Sequence, residues 1–304
     1  MRHRRIGATD LVASEVGLAV GPLVAGPGAR PDGEVADLLG AALDLGIGFF
    51  AATDSDDDGR AERLVGAAVR GHRDEVTLAT TFGYDTTPRR WERAPGTPRH
   101  DWSPSFAGQA LDRSLGRLDT EPVDLWLLHH PGMDAIASDE LFDFLDAQVA
   151  KGKVRAYGVA LGPGPGWGDE GAAALSERRV AAVECVDNPA EPAPARDLAA
   201  LATGAGAGLL ARDPLAPRLP AAARSRLEFL ERDRDQTLDQ ALLRLVLADP
   251  AVATTLPEPR DRGHLAELAG AADLDEPTAE DLDRIAELQE SGFGARGRPA
   301  GAAP

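Results

Sequence analysis

A chain of 304 residues in which 43% are apolar is long enough to bury a sizeable core. Fifty acidic against 32 basic residues give a formal charge of -18 at pH 7, which disfavours nucleic acid and anionic membrane surfaces as partners. With a single cysteine, Cys185, and no apolar run of the roughly 20 residues that a membrane span needs, we expect a soluble, cytoplasmic protein without disulfides that binds a small-molecule ligand.

Short apolar runs rich in β-forming residues recur along the chain and predict eight strands. They cover residues 16–20, 48–52, 76–80, 123–129, 155–161, 181–186, 208–211 and 251–256. Between most of them, apolar residues at a spacing of three and four predict helices over residues 32–45, 60–71, 104–118, 139–151, 194–203 and 236–248.

Strands that alternate with helices indicate parallel βα units, and eight such units in one chain predict a single (β/α)8 TIM barrel. We assign the barrel to residues 1–291, with an N-terminal β-hairpin. Residues 292–304 are rich in glycine, alanine and proline and predict a disordered C-terminal tail. In such a barrel the chemistry lies at the C-terminal ends of the strands.

Several segments occur in an order that is typical of one family. They include the N-terminal residues 1–26, FFAATD (49–54), GRAE (59–62), TTFGYD (80–85), HDWSP (100–104), DLWLLH (124–129), GKVRAYGV (152–159) and residues 256–264. With these segments the chain resembles the bacterial aldo-keto reductases over almost its whole length. The resemblance implies the barrel fold and, in working members, NADPH-dependent reduction of a carbonyl group.

The resemblance also implies a catalytic tetrad. In it a tyrosine gives a proton to the carbonyl, a lysine and an aspartate tune that tyrosine, and a histidine orients the substrate. Carried over residue by residue, the tyrosine of the tetrad falls on Asp56 (or on Asp57 if the loop slips), and the lysine falls on Thr81. The aspartate falls on Ala51 and the histidine on His129. We therefore predict a degenerate tetrad, in which only the histidine is kept.

No other lysine can take over, because Lys151 and Lys153 are the only two and both precede a strand. The positions that the resemblance assigns to the cofactor are altered as well: Ala160, Glu184 and Asp187 replace a serine, a glutamine and a stacking tyrosine, and Glu258 replaces a small residue beside the phosphate. A carboxylate there would oppose a dinucleotide phosphate. We therefore expect no cofactor, with Arg260 as the binding residue if a dinucleotide does bind.

Acidic and imidazole side chains fall near the predicted strand ends, and together they are sufficient for proton transfer. The main hypothesis is a cofactor-independent acid-base enzyme of the dehydratase, isomerase or cyclase type, with His129, Asp56 and Asp54 as catalytic candidates. The predicted substrate-binding residues are Tyr84, Trp102, Asp187 and Asn188. No metal is expected, because the adjacent His129 and His130 would point to opposite sides of a strand.

Two alternatives remain open: a non-catalytic pseudoenzyme that binds a ligand or a protein partner, and a residual NADP-dependent oxidoreductase. Structural explanations also remain open for single residues. The acidic run from Asp54 to Asp58 can be a solvated loop, His129 can serve as a hydrogen-bonding residue of the barrel, and Arg212 can pair with Asp213.

Overall fold

A parallel sheet of eight strands closes into a barrel at the centre of the described protein. The computed structural model describes residues 1–26, 28–86, 99–162, 167–231 and 234–294. In chain order, and in the order in which they pair, the strands are β3 (Leu18–Ala19), β4 (Phe49–Ala51), β5 (Thr77–Phe82), β6 (Val123–His129), β7 (Val154–Ala160), β8 (Ala182–Val186), β9 (Gly208–Arg212) and β10 (Val252–Leu256). A parallel bridge between Val16 and Thr255 joins the first strand region to the last, so the predicted barrel is confirmed.

The N-terminal ends of these strands are covered by an antiparallel hairpin of β1 (His3–Arg5) and β2 (Val12–Ser14). Ile6 and Leu11 of the hairpin are buried in the same apolar cluster as the inward-facing Leu125 and Leu127 of β6. The Thr77 hydroxyl, at the start of β5, donates to the Val12 carbonyl at 2.6 Å. The hairpin therefore closes this end of the barrel and leaves the opposite end available for a site.

Helices cover the outside of the barrel. They are α1 (Gly21–Val24), α2 (Asp32–Asp44), α3 (Arg60–Ala68), α4 (Pro104–Leu118), α5 (Met133–Ile136), α6 (Asp139–Ala150), α7 (Gly168–Glu177), α8 (Ala195–Ala205), α9 (Ala221–Arg224), α10 (Leu238–Leu247), α11 (Arg262–Gly270) and α12 (Ala279–Glu290). Trp126 and Leu128 of β6 face this layer, since they alternate with the inward-facing residues and belong to the outer apolar cluster. None of the described helices has the length and apolar character needed to cross a membrane.

Capping residues explain where several helices begin. Ser103 accepts a hydrogen bond from the Phe106 amide at 3.3 Å and precedes a first-turn proline, so α4 begins where the sequence predicts. Thr237 and Gln240 form a reciprocal capping box at the start of α10.

A buried ion-pair network lies beneath the barrel. Glu15, whose side chain is only 5% exposed, accepts hydrogen bonds from Arg4 at 2.8 Å, from Arg2 at 3.1 Å and from Arg244 of α10 at 2.9 Å. The Arg244 side chain is only 2% exposed. These contacts tie the N-terminal hairpin to the last helical layers of the chain.

The first residues after the predicted boundary at residue 291 lie against the last helix. Gly292–Gly294 forms a short 3-10 turn, and Phe293 is buried in a cluster with Ile285 and Leu288 of α12. The rest of the predicted tail, residues 295–304, lies outside the described residues.

Candidate active site

A cavity of about 480 Å³ opens at the C-terminal ends of the barrel strands, and we name it the mouth cavity. Residues at or near the ends of seven strands line it: Ala19, Ala51, Thr81, His129, Glu184, Arg212 and Leu256. Residues that follow the strands complete the lining, among them Gly21 at the start of α1 and the loop residues Asp56, His130, Asp213, Arg218 and Glu258. The volume is in the range of pockets that hold small molecules, roughly 300–1,000 Å³.

All four positions that the sequence comparison assigned to catalysis line this cavity: Ala51, Asp56, Thr81 and His129. They come from β4, the loop that follows it, β5 and β6, which are neighbouring strands of the barrel. The Thr81 hydroxyl lies 3.3 Å from Nδ1 of His129. The predicted correspondence therefore brings residues that are far apart in sequence to one place.

His129 is partly buried at the end of β6, and burial holds its pKa well below the usual value of 6.5. Arg212 lowers the pKa further, because its positive charge would repel a charged imidazole, and His130 adds to this effect where it is itself protonated. His129 is therefore a neutral imidazole at pH 7. One of its ring nitrogens contacts Thr81, so the other is available to a ligand.

His130 also lines the mouth cavity, which corrects the prediction that the two adjacent histidines point to opposite sides. The strand ends at His129, and His130 has a left-handed backbone with φ 54, so the alternation of side chains stops there. The two ring centroids are 4.2 Å apart. Sequence periodicity missed this residue because it assumed that the strand continued.

Among the described residues, His130 forms a hydrogen bond through one of its two ring nitrogens and not through the other. Its Nδ1 is hydrogen-bonded to the Tyr84 hydroxyl at 2.8 Å, whereas its Nε2 is buried with no hydrogen-bond partner among the described residues. Burial, followed by the charges of Arg212 and His100, lowers the pKa of His130 to about 4. His130 is therefore also neutral at pH 7.

Tyr84 and Trp102, both predicted to bind substrate, lie beside the mouth cavity and are not among the residues that line it. Their rings pack in a row, in which His100 lies 4.1 Å from Tyr84 and 4.9 Å from Trp102. His100 donates through Nε2 to the His129 carbonyl at 2.9 Å. Gly83 makes room for this row, because a Cβ atom there would lie 2.4 Å from the Trp102 ring.

Asp56 and Asp54 have different surroundings. Asp56 accepts a short hydrogen bond from the Thr53 hydroxyl and lies at the cavity wall, over Gly21. Asp54 does not line the mouth cavity: it is buried, and its Oδ1 has no partner within the described ranges. Burial, followed by Glu62 of α3, raises its pKa well above 3.8. Of the two predicted catalytic aspartates, the structure thus places only Asp56 at the site.

Charged groups lie at the far wall of the cavity. Arg212 donates to the Gly162 carbonyl at 2.7 Å and contacts Glu184 at 3.4 Å, while Asp213 pairs with Arg218 at 3.1 Å. The simple Arg212–Asp213 pair considered from the sequence is therefore replaced by two separate pairs. Burial raises the pKa of Glu184, and Arg212 opposes this shift.

Asp187 and Asn188 do not line the mouth cavity, although the sequence predicted them as substrate ligands there. They line a second cavity of about 190 Å³, which reaches Leu282 and Ile285 of α12. The Asn188 amide oxygen accepts from the Glu191 backbone at 2.9 Å, so this side chain shapes its own loop. Burial, followed by Asp249, raises the pKa of Asp187 to about 7.

Arg260, the predicted phosphate ligand, precedes α11, and its side chain is 67% exposed. Its guanidinium lies 3.4 Å from the Asp239 carboxylate, which also accepts a short bond from Arg224 and contacts His264 at 3.1 Å. Asp239, His264 and Glu267 bring one potential metal ligand each within 4.8 Å of one another. Because two guanidinium groups already contact Asp239, we assign this cluster to ion pairing.

A sequence model of the aldo/keto reductase family matches residues 21–290. The chain is 36% identical over 159 residues to a 6-dehydroglucose reductase of Novosphingobium aromaticivorans, and this match covers 47% of this chain and 48% of that protein. It is 32% identical over 126 residues to the aldo-keto reductase yakc [NADP(+)] of Schizosaccharomyces pombe, and this match covers 40% of this chain and 35% of that protein. The matches therefore span about half of these curated relatives or less.

The fold is similar to that of the aldo-keto reductase AKR11C1 from Bacillus halodurans in its holo form, with a TM-score of 0.80 and 24% sequence identity. The likeness covers 95% of this chain and 96% of that chain. Nearly the whole barrel is therefore shared with this solved structure.

These findings correct two predictions. The matched relatives are named as reductases, which overturns the hypothesis of a cofactor-independent dehydratase, isomerase or cyclase. The expectation that no cofactor binds is also wrong, because the family match and the relative named with NADP(+) both imply nicotinamide chemistry. The family match extends over most of the sequence, and the chain belongs to the aldo/keto reductase family.

Proposed function

We propose that the protein is an NADP(H)-dependent oxidoreductase that reduces the carbonyl group of a small, polar molecule. The observation that carries this proposal is the meeting of the four corresponding positions, with His129 among them, at one cavity at the C-terminal end of the barrel. Membership of a family whose matched members are named as reductases supports the same reaction class. The acidic surface and the single buried cysteine are in keeping with a cytoplasmic enzyme that acts on small molecules.

The residues present are compatible with a dinucleotide. Arg212 lines the mouth cavity, and the largely exposed Arg260 offers a second guanidinium at the start of α11. Partial burial and Asp213 raise the pKa of Glu258, which weakens the repulsion that the sequence suggested between its carboxylate and a phosphate. We assign the phosphates to these arginines, since guanidinium groups recognise phosphate through paired hydrogen bonds. When it is bound, a reduced nicotinamide supplies a hydride to the carbonyl carbon.

His129 orients the carbonyl group. It is neutral at pH 7, and its contact with Thr81 occupies Nδ1, so Nε2 is free to donate or accept a hydrogen bond. A neutral imidazole can polarise a carbonyl oxygen without placing a full positive charge in the cavity. This function uses the position that the family comparison assigned to a substrate-orienting histidine.

The cavity favours a hydroxylated substrate. Carboxylates of Asp56, Glu184 and Asp213 line it together with the guanidinium of Arg212, which gives both acceptors and donors for hydroxyl groups. The relative named 6-dehydroglucose reductase acts on a compound of this class. We therefore place oxidised sugars and other polyhydroxylated aldehydes or ketones first among the substrates.

The test is a titration of the purified protein with NADPH, followed by quenching of tryptophan fluorescence, and then a turnover assay on a panel of hydroxylated carbonyl compounds. We expect saturable binding in the micromolar range and substrate-dependent loss of NADPH absorbance. Arg260→Gln should weaken binding about 10- to 150-fold, since one charge-assisted hydrogen bond contributes about 1.5–3 kcal/mol. Arg70→Gln, on an exposed surface that pairs with Asp119, is the matched control and should change nothing.

No saturable binding at millimolar NADPH, together with no turnover across the panel, would refute the proposal. Binding without turnover would contradict the reductase and favour a protein that senses or stores the dinucleotide.

A further inference from the structure

Tyr84 and His130 form a hydrogen-bonded pair that ends at the mouth cavity. The Tyr84 hydroxyl is 2.8 Å from Nδ1 of His130, and the other ring nitrogen, Nε2, is buried and has no protein partner in the part of the chain that the structure describes. His130 itself lines the cavity. A buried polar nitrogen without a partner is costly, so its presence beside a cavity points to a ligand atom as its partner.

The backbone holds this pair under strain. His130 has φ 54, a conformation that is uncommon for residues other than glycine, and its amide donates to the Ala160 carbonyl at 2.8 Å. Without this local reversal the imidazole of His130 would leave the side of the strand on which His129 lies. Strained residues of this kind concentrate at functional sites, where the surrounding structure keeps them in place.

We propose that His130 is the proton donor of the carbonyl reduction and that Tyr84 is its positioning residue. This inference rests on the proposed function and deepens it, because Asp56 now occupies the position that the family comparison assigned to the proton-donating tyrosine. His130 therefore carries a catalytic role that the family correspondence does not assign to it.

The other side chains at the cavity are less suited to this role. His129 already has Thr81 at one of its nitrogens and acts on the carbonyl as an orienting group. Asp56 uses its carboxylate as an acceptor for the Thr53 hydroxyl. His129 and His130 both line the cavity with a hydroxyl group at Nδ1, but the partner of His130 is a phenol at 2.8 Å, whereas the partner of His129 is the Thr81 alcohol at 3.3 Å. A phenol gives up its proton far more readily than an alcohol, so only His130 has a proton source behind it.

Two linked proton transfers complete the reduction, one from His130 to the carbonyl oxygen and one from Tyr84 to His130. A bound reduced nicotinamide would supply a hydride to the carbonyl carbon and so leave an electron pair on the carbonyl oxygen. Nε2–H of His130 gives its proton to that oxygen. The Tyr84 hydroxyl gives its proton to Nδ1, so the imidazole remains neutral and the negative charge ends on the phenolate. Tyr84 is partly exposed and regains its proton from water, which restores the pair for the next turnover.

The direction of the Tyr84–His130 hydrogen bond decides whether this step is possible. If the hydroxyl donates to Nδ1, the neutral ring carries its proton on Nε2, the nitrogen that has no partner among the described residues. The ring of Tyr84 is held between His100 and His129, with centroid distances of 4.1 and 5.0 Å, so the hydroxyl has a fixed position relative to the imidazole.

The first experiment compares kcat and KM for the wild-type holoenzyme with two variants, His130→Asn and Tyr84→Phe. Asparagine tolerates the left-handed backbone of residue 130 but cannot relay a proton. We expect His130→Asn to lower kcat by roughly 10²-fold or more, as for loss of a general acid, with little change in KM or in NADPH affinity. Tyr84→Phe keeps the ring stacking and should lower kcat about tenfold. His72→Asn, at an exposed histidine, is the matched control and should leave both constants unchanged.

The second experiment does not depend on turnover. Long-range proton–nitrogen NMR correlations of histidine-labelled protein assign the tautomer of each ring. We expect His130 to carry its proton on Nε2 in the wild type and to shift toward the other tautomer in Tyr84→Phe. A purely structural role for Tyr84 would leave that tautomer unchanged.

The outcomes separate the two proposals. If the wild type neither binds NADPH nor reduces any carbonyl, the proposed function fails and the inference fails with it. If the wild type reduces a carbonyl while His130→Asn keeps kcat within about threefold of it, only the inference is overturned. A proton on Nδ1 of His130 in the wild type would overturn the inference as well.

Discussion

Replacement of Glu15 by glutamine tests the network that closes the bottom of the barrel. Glu15 is the shared acceptor for Arg2, Arg4 and Arg244, and the side chains of Glu15 and Arg244 are only 5% and 2% exposed. Glutamine keeps the shape and one acceptor oxygen but removes the charge. Arg244 is then left buried without the carboxylate that it pairs with at 2.9 Å.

Removing one partner of a buried ion pair costs about 3–5 kcal/mol, and glutamine's remaining acceptor places this variant near 3 kcal/mol. For a chain of 304 residues, an unfolding entropy of about 2.1 cal/mol/K per residue converts this loss to a fall of about 5 °C in Tm. Scanning calorimetry or a thermal circular dichroism scan measures it directly. Glu75→Gln, at an exposed glutamate that pairs with His72, should change Tm by less than 1 °C.

The same variant has a signature in its pH dependence. Burial alone would raise the pKa of Glu15, but Arg4, Arg244 and Arg2 outweigh it and hold the pKa below 4.5. The stability from the ionised carboxylate is therefore present above pH 4.5 and is lost as the pH falls through the lowered pKa. The Tm difference between wild type and variant should shrink in acid. A fall in Tm no larger than that of the Glu75 control, at any pH, would refute this account of the network.

Three further predictions use other parts of the structure. Gly83 has a φ of +136, and Gly83→Ala places a methyl group against the Trp102 ring. This variant should lower the free energy of unfolding by about 1–3 kcal/mol and shift the tryptophan emission. An unchanged Tm would contradict the packing described. Burial, followed by Arg212, lowers the pKa of His130 from 6.5 to about 4. As the pH falls from 7, the unfolded chain therefore binds a proton at this residue before the folded protein does, and the folded state loses stability. Between pH 7 and 5 the Tm of His130→Asn should fall less than that of the wild type, and an equal fall would contradict this reasoning. Cys185 is 1% exposed and burial raises the pKa of its thiol, so a thiol reagent should react only on unfolding, and rapid labelling of the native protein would disagree.

Much of the fold could be predicted from the sequence because apolar periodicity is a local signal. The predicted strand 123–129 and the predicted helix 104–118 have the same bounds in the structure. The start of that helix could be predicted because Ser103 caps it and Pro104 occupies its first turn, which are signals between neighbouring residues. The four positions that the resemblance assigned to catalysis also line one cavity, because the strand ends of a barrel meet at one opening.

The predicted site was less accurate wherever one dihedral angle or one long-range contact decides the outcome. The left-handed backbone of His130 reverses its side chain, and no periodicity shows that reversal. Asp54 and Asp187 follow strand ends as expected, yet neither lines the mouth cavity: Asp54 is buried, and Asp187 lines the second cavity. Arg212 was paired with its sequence neighbour, whereas the structure gives it Glu184 from the adjacent strand.

The adjacency of His129 and His130 has a mechanical consequence. Side chains that come from different strands, such as Thr81 and His129, change their separation whenever the barrel expands or twists. The two imidazoles are joined by a single peptide unit, so such motions carry them together. Fluctuations of the barrel therefore alter how the substrate fits between strands, but they leave the spacing of this histidine pair nearly constant. A one-residue insertion after His129 would separate the pair, which no change in barrel diameter can do.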